Sequence, residues 1–327
     1  LFVSFTHLHD PVAITQEYWD RYDHDDIESP AVPEIPLSEK DHLSRNLHYC
    51  QGRHEFTVTE EHKRNARHGY YGMISYIDDK VALLRETLEK CGLADNTIII
   101  LTADHGEMMG ERGMWYKQHF FEWACRVPLV VHAPQRYRPA HVAQNVSLID
   151  LMPTMLDLAA SGAFTDYVGG DIDGHSLVPA LAGDPAKLDD VAISEFAADG
   201  STGPSRMVKK GSWKYMYLEG VDELLFDLSE DPNELNNLIE SPQHAERASE
   251  FRRIAFDGWD PDQLRDEIQQ DQQRRLLVHK STGGEPTWVN IVRLDDNERY
   301  IRNAGAADTK AMARLPYVPP AKPDKAA

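Results

Sequence analysis

The feature that most constrains the fold is a short apolar run that ends in Asp-His-Gly. Residues 97–101 read Thr-Ile-Ile-Ile-Leu, five apolar or β-branched residues in succession. The run is too short for a buried helix and predicts a strand covered on both faces. Asp104, His105 and Gly106 follow almost at once. Because sites in open α/β sheets form at the carboxyl ends of strands, this acid and imidazole could reach one cation.

The same three residues also fit a simple turn with a hydrogen-bonded structural histidine. Lys117 follows about ten residues later, carried among aromatic residues. Because the positively charged Lys117 follows so soon after the predicted strand end, a functional site is as plausible as the turn, and both interpretations remain open at this point.

Residues 59–91 predict one long helix. Thr59 precedes two acidic residues, which suit the first turn of a helix. Apolar residues recur at spacings of three and four from Met73 to Leu88, and Gly92 supplies a glycine stop. A helix followed closely by a strand predicts half of a parallel α/β unit.

Four other segments complete the predicted α/β part. Residues 1–6 and 126–131 are apolar enough for buried strands, and residues 147–160 predict a helix with Ser147 as its N-cap. Residues 12–59 are rich in Pro, Asp, Glu and His with little periodicity, so they predict a long surface excursion.

The pattern changes in the C-terminal half. Residues 207–217 predict two short strands around a Lys-Gly turn, residues 223–228 a third, and residues 191–194 a further short strand. Two helices are predicted at residues 243–256 and 261–279, and the last twenty, proline-rich residues predict an extended arm.

The fold class expected from these elements is α/β, with a mixed sheet flanked by helices, a smaller C-terminal antiparallel-sheet subdomain and a helical and extended tail. We expect three units: a catalytic-type α/β part at 1–190, the small sheet and helix at 191–257, and a C-terminal extension at 258–327.

The net charge limits the classes of binding partner that are expected. With 54 acidic and 34 basic residues the formal net charge is −20, which argues against nucleic acid and anionic membrane surfaces. No apolar run approaches the length of a membrane span. The three cysteines, Cys50, Cys91 and Cys125, form neither a disulfide framework nor a zinc motif, so we expect reduced thiols and a cytoplasmic location. Because Leu1 opens an apolar run, we also expect preceding sequence, which leaves a periplasmic location open.

Five motifs, in their order along the chain, closely resemble those of the sulfatases of the alkaline-phosphatase superfamily. They are His7-Leu-His9-Asp10-Pro11, residues 104–113 (Asp-His-Gly-Glu-Met-Met-Gly-Glu-Arg-Gly), residues 115–117 (Trp-Tyr-Lys), residues 120–123 (Phe-Phe-Glu-Trp) and residues 126–129 (Arg-Val-Pro-Leu). Residues 258–261 and 272–275 resemble the C-terminal extension of the choline-sulfatase type within that family.

The resemblance implies a reaction and a set of roles. In the family, a cysteine of a Cys-x-Pro-x-Arg motif becomes formylglycine, whose hydrate attacks the sulfur of a sulfate ester beside a divalent metal. Asp104 and His105 match two metal ligands, Lys117 matches the lysine on the sulfate, and His9 matches the histidine that protonates the leaving alcohol. His7 is a further candidate for anion binding. Ca²⁺ is the metal most expected, with Mg²⁺ or Mn²⁺ possible.

The expected substrate, choline sulfate, also needs an acid for its cationic end. Glu195 and Asp199 lie in a stretch that resembles the family's choline-binding segment, and Glu195 is the favoured of the two. The family's subunit exchange implies a homo-oligomer formed through the C-terminal tail.

The sequence departs from the family pattern in two respects. It contains no Cys-x-Pro-x-Arg motif and none of the family's N-terminal Asp-Asp metal ligands, so we expect both upstream of Leu1. Because loss of a nucleophile costs orders of magnitude in rate, these residues alone are expected to be inactive. Two alternatives remain: a phosphonate monoester or phosphodiester hydrolase of the same superfamily, and a non-catalytic scaffold.

Overall fold

The computed structural model describes residues 1–160 and 172–281. The strands in these ranges form two antiparallel sheets. The first sheet has two strands and the second has four, in the order β3-β4-β5-β6. The strands are β1 (Ile99–Thr102), β2 (Leu129–His132), β3 (Val191–Phe196), β4 (Ser205–Lys210), β5 (Trp213–Leu218) and β6 (Asp222–Asp227).

Helices surround these sheets, and two of them are long. The α-helices are α1 (Gln16–Trp19), α2 (His42–Cys50), α3 (Glu60–Lys90), α4 (Glu122–Cys125), α5 (Leu151–Ala160), α6 (Val178–Leu181), α7 (Ala245–Ala255) and α8 (Pro261–Ser281). None of the helices described is both long enough and apolar enough to cross a membrane.

The long helix predicted from residues 59–91 is confirmed as α3. Thr59 and His62 form a reciprocal capping box: the Thr59 hydroxyl accepts a hydrogen bond from the His62 N–H at 3.2 Å, and the His62 ring accepts one from the Thr59 N–H at 3.2 Å. Gly72 lets the chain near α1 approach α3, because a Cβ there would lie 3.2 Å from the Tyr18 carbonyl oxygen. The helix therefore begins at a defined cap, and its glycine allows the preceding segment to pack closely against it.

The predicted antiparallel sheet is confirmed, with β4 and β5 joined at the Lys-Gly turn. Both of its faces are buried. One face packs on α2 and residues 108–124 in a cluster that contains Leu43, Leu47, Met108, Met114, Phe120, Phe121, Ala124, Met207, Met216, Leu218 and Phe226. The other face packs on α7 in a cluster that contains Val208, Tyr215, Leu225, Ala248, Phe251 and Ala255. The first of these two clusters thus joins residues from both halves of the chain.

Three sequence predictions are wrong. Residues 1–6 form no strand, and Leu1 and Phe2 are exposed, because no described strand lies beside them to complete the hydrogen bonding. The strand after α3 is antiparallel to β2 and not buried on both faces, with Leu101 38% exposed. The surface excursion of residues 12–59 contains α2, whose apolar face is in the core.

The tail is described only in part. The helix predicted at residues 261–279 is confirmed as α8, which contains no buried residue. The extended arm predicted for the last twenty residues lies outside the described residues.

Candidate active site

The candidate site begins where β1 ends. The backbone N–H groups of Gly106 and Glu107 donate hydrogen bonds to the carbonyl oxygens of Ala124 and Trp123 at 2.7 and 2.8 Å. The turn after β1 is therefore held against α4. A Cβ at Gly106 would lie 2.0 Å from the Trp123 carbonyl oxygen. Only glycine fits this approach, and it holds the two preceding residues at the strand end.

Asp104 and His105 share this strand end. The Asp104 carboxylate accepts a hydrogen bond from the His105 N–H at 3.0 Å, and its second oxygen lies 3.6 Å from His105 Nε2. His105 Nδ1 lies 2.8 Å from the Gly106 carbonyl oxygen, which can only accept. Nδ1 therefore carries the proton. The lone pair of Nε2 is available to coordinate a metal ion, next to the exposed Asp104 carboxylate.

These two side chains fit a metal site only in part. A carboxylate oxygen and a neutral imidazole are suitable donors for a divalent cation, but Ca²⁺ takes six to eight ligands. Among the described residues, no group of three or more His, Cys, Asp or Glu side chains could hold a metal ion. The described residues thus offer two ligands and do not complete a metal site.

His9 and Lys117 meet although 108 residues separate them. Lys117 Nζ lies 3.2 Å from His9 Nε2. An ammonium group can only donate, so the histidine nitrogen accepts. His9 Nδ1 lies 2.7 Å from the Asp10 carbonyl oxygen and 3.3 Å from its carboxylate, which places the ring proton on that side. A proton can therefore pass between the Lys117 ammonium group and His9 Nε2, and the pair carries a positive charge.

Glu107 lies in the turn that leads to Lys117. Its carboxylate accepts hydrogen bonds from the backbone N–H groups of Met109 and Tyr116, which closes the turn that presents Lys117. Burial of the carboxyl raises the pKa of Glu107 to about 7, against the opposing effect of the two backbone hydrogen bonds; Asp10 adds to the rise and Lys117 opposes it. Sequence reasoning assigned no role to Glu107, although an acid directly after Asp-His-Gly was a signal.

The other predicted site residues lie on different elements. The His7 ring lies 4.7 Å from the Tyr76 ring of α3. Glu195 on β3 pairs with Arg206, which lies opposite it on β4, at 2.7 Å. Asp199 is exposed in the connection between these two strands.

The predicted groups are therefore brought together pairwise. Asp104 contacts His105, and His9 contacts Lys117. In the described ranges, no hydrogen bond or ion pair joins Glu195 to either pair. The pairing of Glu195 with a guanidinium was not foreseen, because strand register is needed to identify the partner.

Two family models match this chain. A model described as Sulfatase matches residues 1–161. A second model, described as N-sulphoglucosamine sulphohydrolase, C-terminal, matches residues 110–255. The two overlap over the segment that carries Lys117.

Similar proteins extend the match over most of the chain. A choline-sulfatase of Rhizobium meliloti is 37% identical over 314 residues, covering 94% of this chain and 60% of that protein. An arylsulfatase K of Bos taurus is 32% identical over 238 residues, covering 68% of this chain and 42% of that protein. The chain thus spans less than two thirds of the length of these relatives.

A solved structure shows the same fold. The phosphonate monoester hydrolase of Agrobacterium radiobacter matches with a TM-score of 0.62 at 24% identity, over 76% of this chain and 54% of that chain. This likeness confirms the predicted fold class. With both family models and the choline-sulfatase match, the chain belongs to the sulfatase family.

Proposed function

We propose that the protein containing these 327 residues hydrolyses a sulfate ester, most specifically choline sulfate, to choline and sulfate. The observation that carries the proposal is the contact between His9 Nε2 and Lys117 Nζ at 3.2 Å. Family membership and the 37% identity to a choline-sulfatase support the reaction class and this substrate.

The contact suits the departure of an alcohol from sulfate. Attack on sulfur breaks the bond between sulfur and the alcohol oxygen, and that oxygen needs a proton as it leaves. In this proposal Lys117 lies against the negatively charged sulfuryl oxygens, and the proton is delivered from the pair of Lys117 and His9. Such charge stabilisation carries most of the catalysis in comparable transfers.

The proposal includes a formylglycine nucleophile and a divalent metal. No Cys-x-Pro-x-Arg motif occurs in the sequence, so the nucleophile would come from another part of the protein. Asp104 and His105 would supply two metal ligands, with Ca²⁺ preferred and Mg²⁺ or Mn²⁺ as alternatives. When bound, the metal would neutralise charge on the sulfate oxygens.

Glu195 is proposed for the trimethylammonium end of choline, with Asp199 as the alternative. Glu195 shares its charge with Arg206, whereas Asp199 is exposed without such a neighbour among the described residues. If Glu195 acts, Glu195→Gln raises the KM for choline sulfate about tenfold or more while Asp199→Asn leaves it unchanged. The reverse result assigns the role to Asp199, and two unchanged KM values would reject both.

The decisive experiment compares substrates and variants of the complete protein. Turnover of choline sulfate should exceed that of an aryl phosphonate monoester. Lys117→Met should lower kcat about 10²- to 10³-fold, as loss of one charge-stabilising donor does. Lys187→Met, which removes an exposed lysine paired with Asp184, serves as control and should keep full activity.

Two results would overturn the proposal. Lys117→Met with activity within a few-fold of the original protein would remove the lysine from the reaction. Faster turnover of the phosphonate would favour the second candidate, a phosphonate monoester hydrolase, whose fold this chain shares.

A homo-oligomer formed through the C-terminal tail is also part of the proposal. Size-exclusion chromatography with light scattering on the complete protein tests it, and a monomer mass at all concentrations would contradict it.

A further inference from the structure

The loop from Glu107 to Lys117 contains three non-glycine residues with left-handed backbone. Met109, Arg112 and Tyr116 have φ angles of 45°, 58° and 66°. Residues other than glycine rarely adopt this conformation, and they keep it only where their surroundings hold the strained backbone in place. Tyr116 directly precedes Lys117, so its conformation sets the direction in which the chain enters the lysine.

The Glu107 side chain binds the backbone of two of these three residues. One of its carboxylate oxygens accepts hydrogen bonds from the N–H groups of Met109, at 3.3 Å, and of Tyr116. The third residue, Arg112, donates its N–H to the Val32 carbonyl oxygen at 2.9 Å. A single side-chain oxygen therefore ties the beginning of the loop to its end and holds a left-handed residue at each.

Tyr116 is fixed from two directions. Its N–H donates to the Glu107 carboxylate, and its carbonyl oxygen accepts a hydrogen bond from the Met108 N–H at 2.8 Å. That carbonyl belongs to the peptide unit that leads into Lys117, whose Nζ lies 3.2 Å from His9 Nε2. The position of the lysine ammonium group thus depends on a backbone conformation that Glu107 maintains.

We propose that Glu107 is a positioning residue, which places Lys117 against His9 by holding Tyr116 in the left-handed conformation. Its effect on rate rests on the proposed function, whereas its effect on the distance between Lys117 and His9 does not. The role needs an acceptor atom at the correct reach and does not need a negative charge. Glutamine keeps such an atom, because a carboxamide oxygen can accept two hydrogen bonds. Aspartate keeps the charge but is one methylene shorter, so its oxygen falls short of the two N–H groups.

The kinetic test compares variants of the complete protein on choline sulfate. Glu107→Asp and Glu107→Ala should each lower kcat about ten- to a hundredfold, because a small displacement of a positioned group is costly. Glu107→Gln should lower kcat by no more than about fivefold, since it retains the acceptor and loses only the charge. The control Glu86→Ala removes an exposed glutamate paired with Lys90 and should leave kcat unchanged.

The order of the aspartate and glutamine variants decides the result. If the charge of Glu107 is what matters, Glu107→Asp turns over faster than Glu107→Gln, and that order overturns the proposal, as do equal values. Each kcat is referred to the folded fraction measured by circular dichroism, so a loss of stability alone does not change it. Should Glu107→Ala not fold, the comparison of the other two variants still decides.

Crystal structures of the original protein and of Glu107→Asp give a measurement that involves no turnover. In the variant, Tyr116 should leave the left-handed region, and Lys117 Nζ should lie more than about 3.5 Å from His9 Nε2, beyond hydrogen-bond range. An unchanged φ at Tyr116 together with an unchanged distance overturns the proposal. If Lys117→Met keeps full activity, the proposed function fails, and the distance alone then tests whether Glu107 positions the lysine.

Discussion

Lys214 provides the sharpest test of how the two halves of the chain are held together. It lies on β5, is fully buried and pairs with Glu234 at 2.8 Å and Glu122 at 2.5 Å. Its ammonium group also donates to the Phe120 carbonyl oxygen at 2.9 Å. Burial alone would lower the pKa of Lys214, but the two carboxylates outweigh it and raise the pKa. The lysine therefore stays charged and joins the sheet to the segment after Lys117.

Lys214→Met leaves the Glu234 carboxylate buried without its cation. Removing one partner of a buried pair costs about 3 to 5 kcal/mol, because the remaining charge is desolvated and unpaired. Glu122 loses less, since Lys209 still binds it at 2.8 Å. We expect the free energy of unfolding to fall by that amount and the contact of the sheet with Phe120 to loosen.

Urea unfolding followed by circular dichroism measures the change. Lys209→Met is the matched control, because it removes a more exposed cation from the same carboxylate and should cost about 1 kcal/mol or less. The double variant Lys214→Met, Glu234→Gln should recover part of the loss, because no unpaired charge remains at position 234. A single Lys214→Met variant within 1 kcal/mol of the original chain would refute the argument.

Two further predictions concern stability. Thr59→Ala removes the cap of α3 and should cost about 1 kcal/mol in urea unfolding, whereas Thr57→Ala, a nearby exposed threonine, should cost nothing measurable; equal values would reject the capping argument. For Lys40, the folded pKa of about 8 lies below the unfolded value of 10.5, so the unfolded chain binds more protons between these pH values and stability rises with pH there. Measured in sodium gluconate, the free energy of unfolding of the original chain should rise by about 2 kcal/mol relative to that of Lys40→Met over this pH window, after allowance for solvent screening. A difference between the two chains that does not change with pH would contradict the pKa shift.

Local signals made much of the fold predictable. The cap, apolar stripe and glycine stop of α3 all lie within one stretch of sequence, and the Lys-Gly turn sets the β4–β5 register. The same holds for the pair Asp104 and His105, which follow a strand directly. Elements whose residues specify their own conformation can be identified without knowledge of their neighbours.

The remainder depended on contacts that sequence order does not give. The apolar residues of α2 are spaced within a polar segment, and only the packing against the sheet reveals their role. Residues 1–6 have strand composition but no described strand to pair with. The buried position of Lys40 depends on Arg112, which lies far along the chain, so its shifted pKa had no signal in the local sequence. The acid at position 107 was visible beside Asp-His-Gly, but the burial that shifts its pKa was not.

The close approach at Gly106 has a consequence for how this site can change. The main chain itself, and not a replaceable side chain, sets the distance between the acid–imidazole pair and the carbonyl of Trp123. Under the proposed function, substitutions elsewhere around the site would alter which substrate is recognised while the acid–imidazole pair keeps its position. Under that proposal, a change of substrate would need changes only in the loops and side chains around the pair.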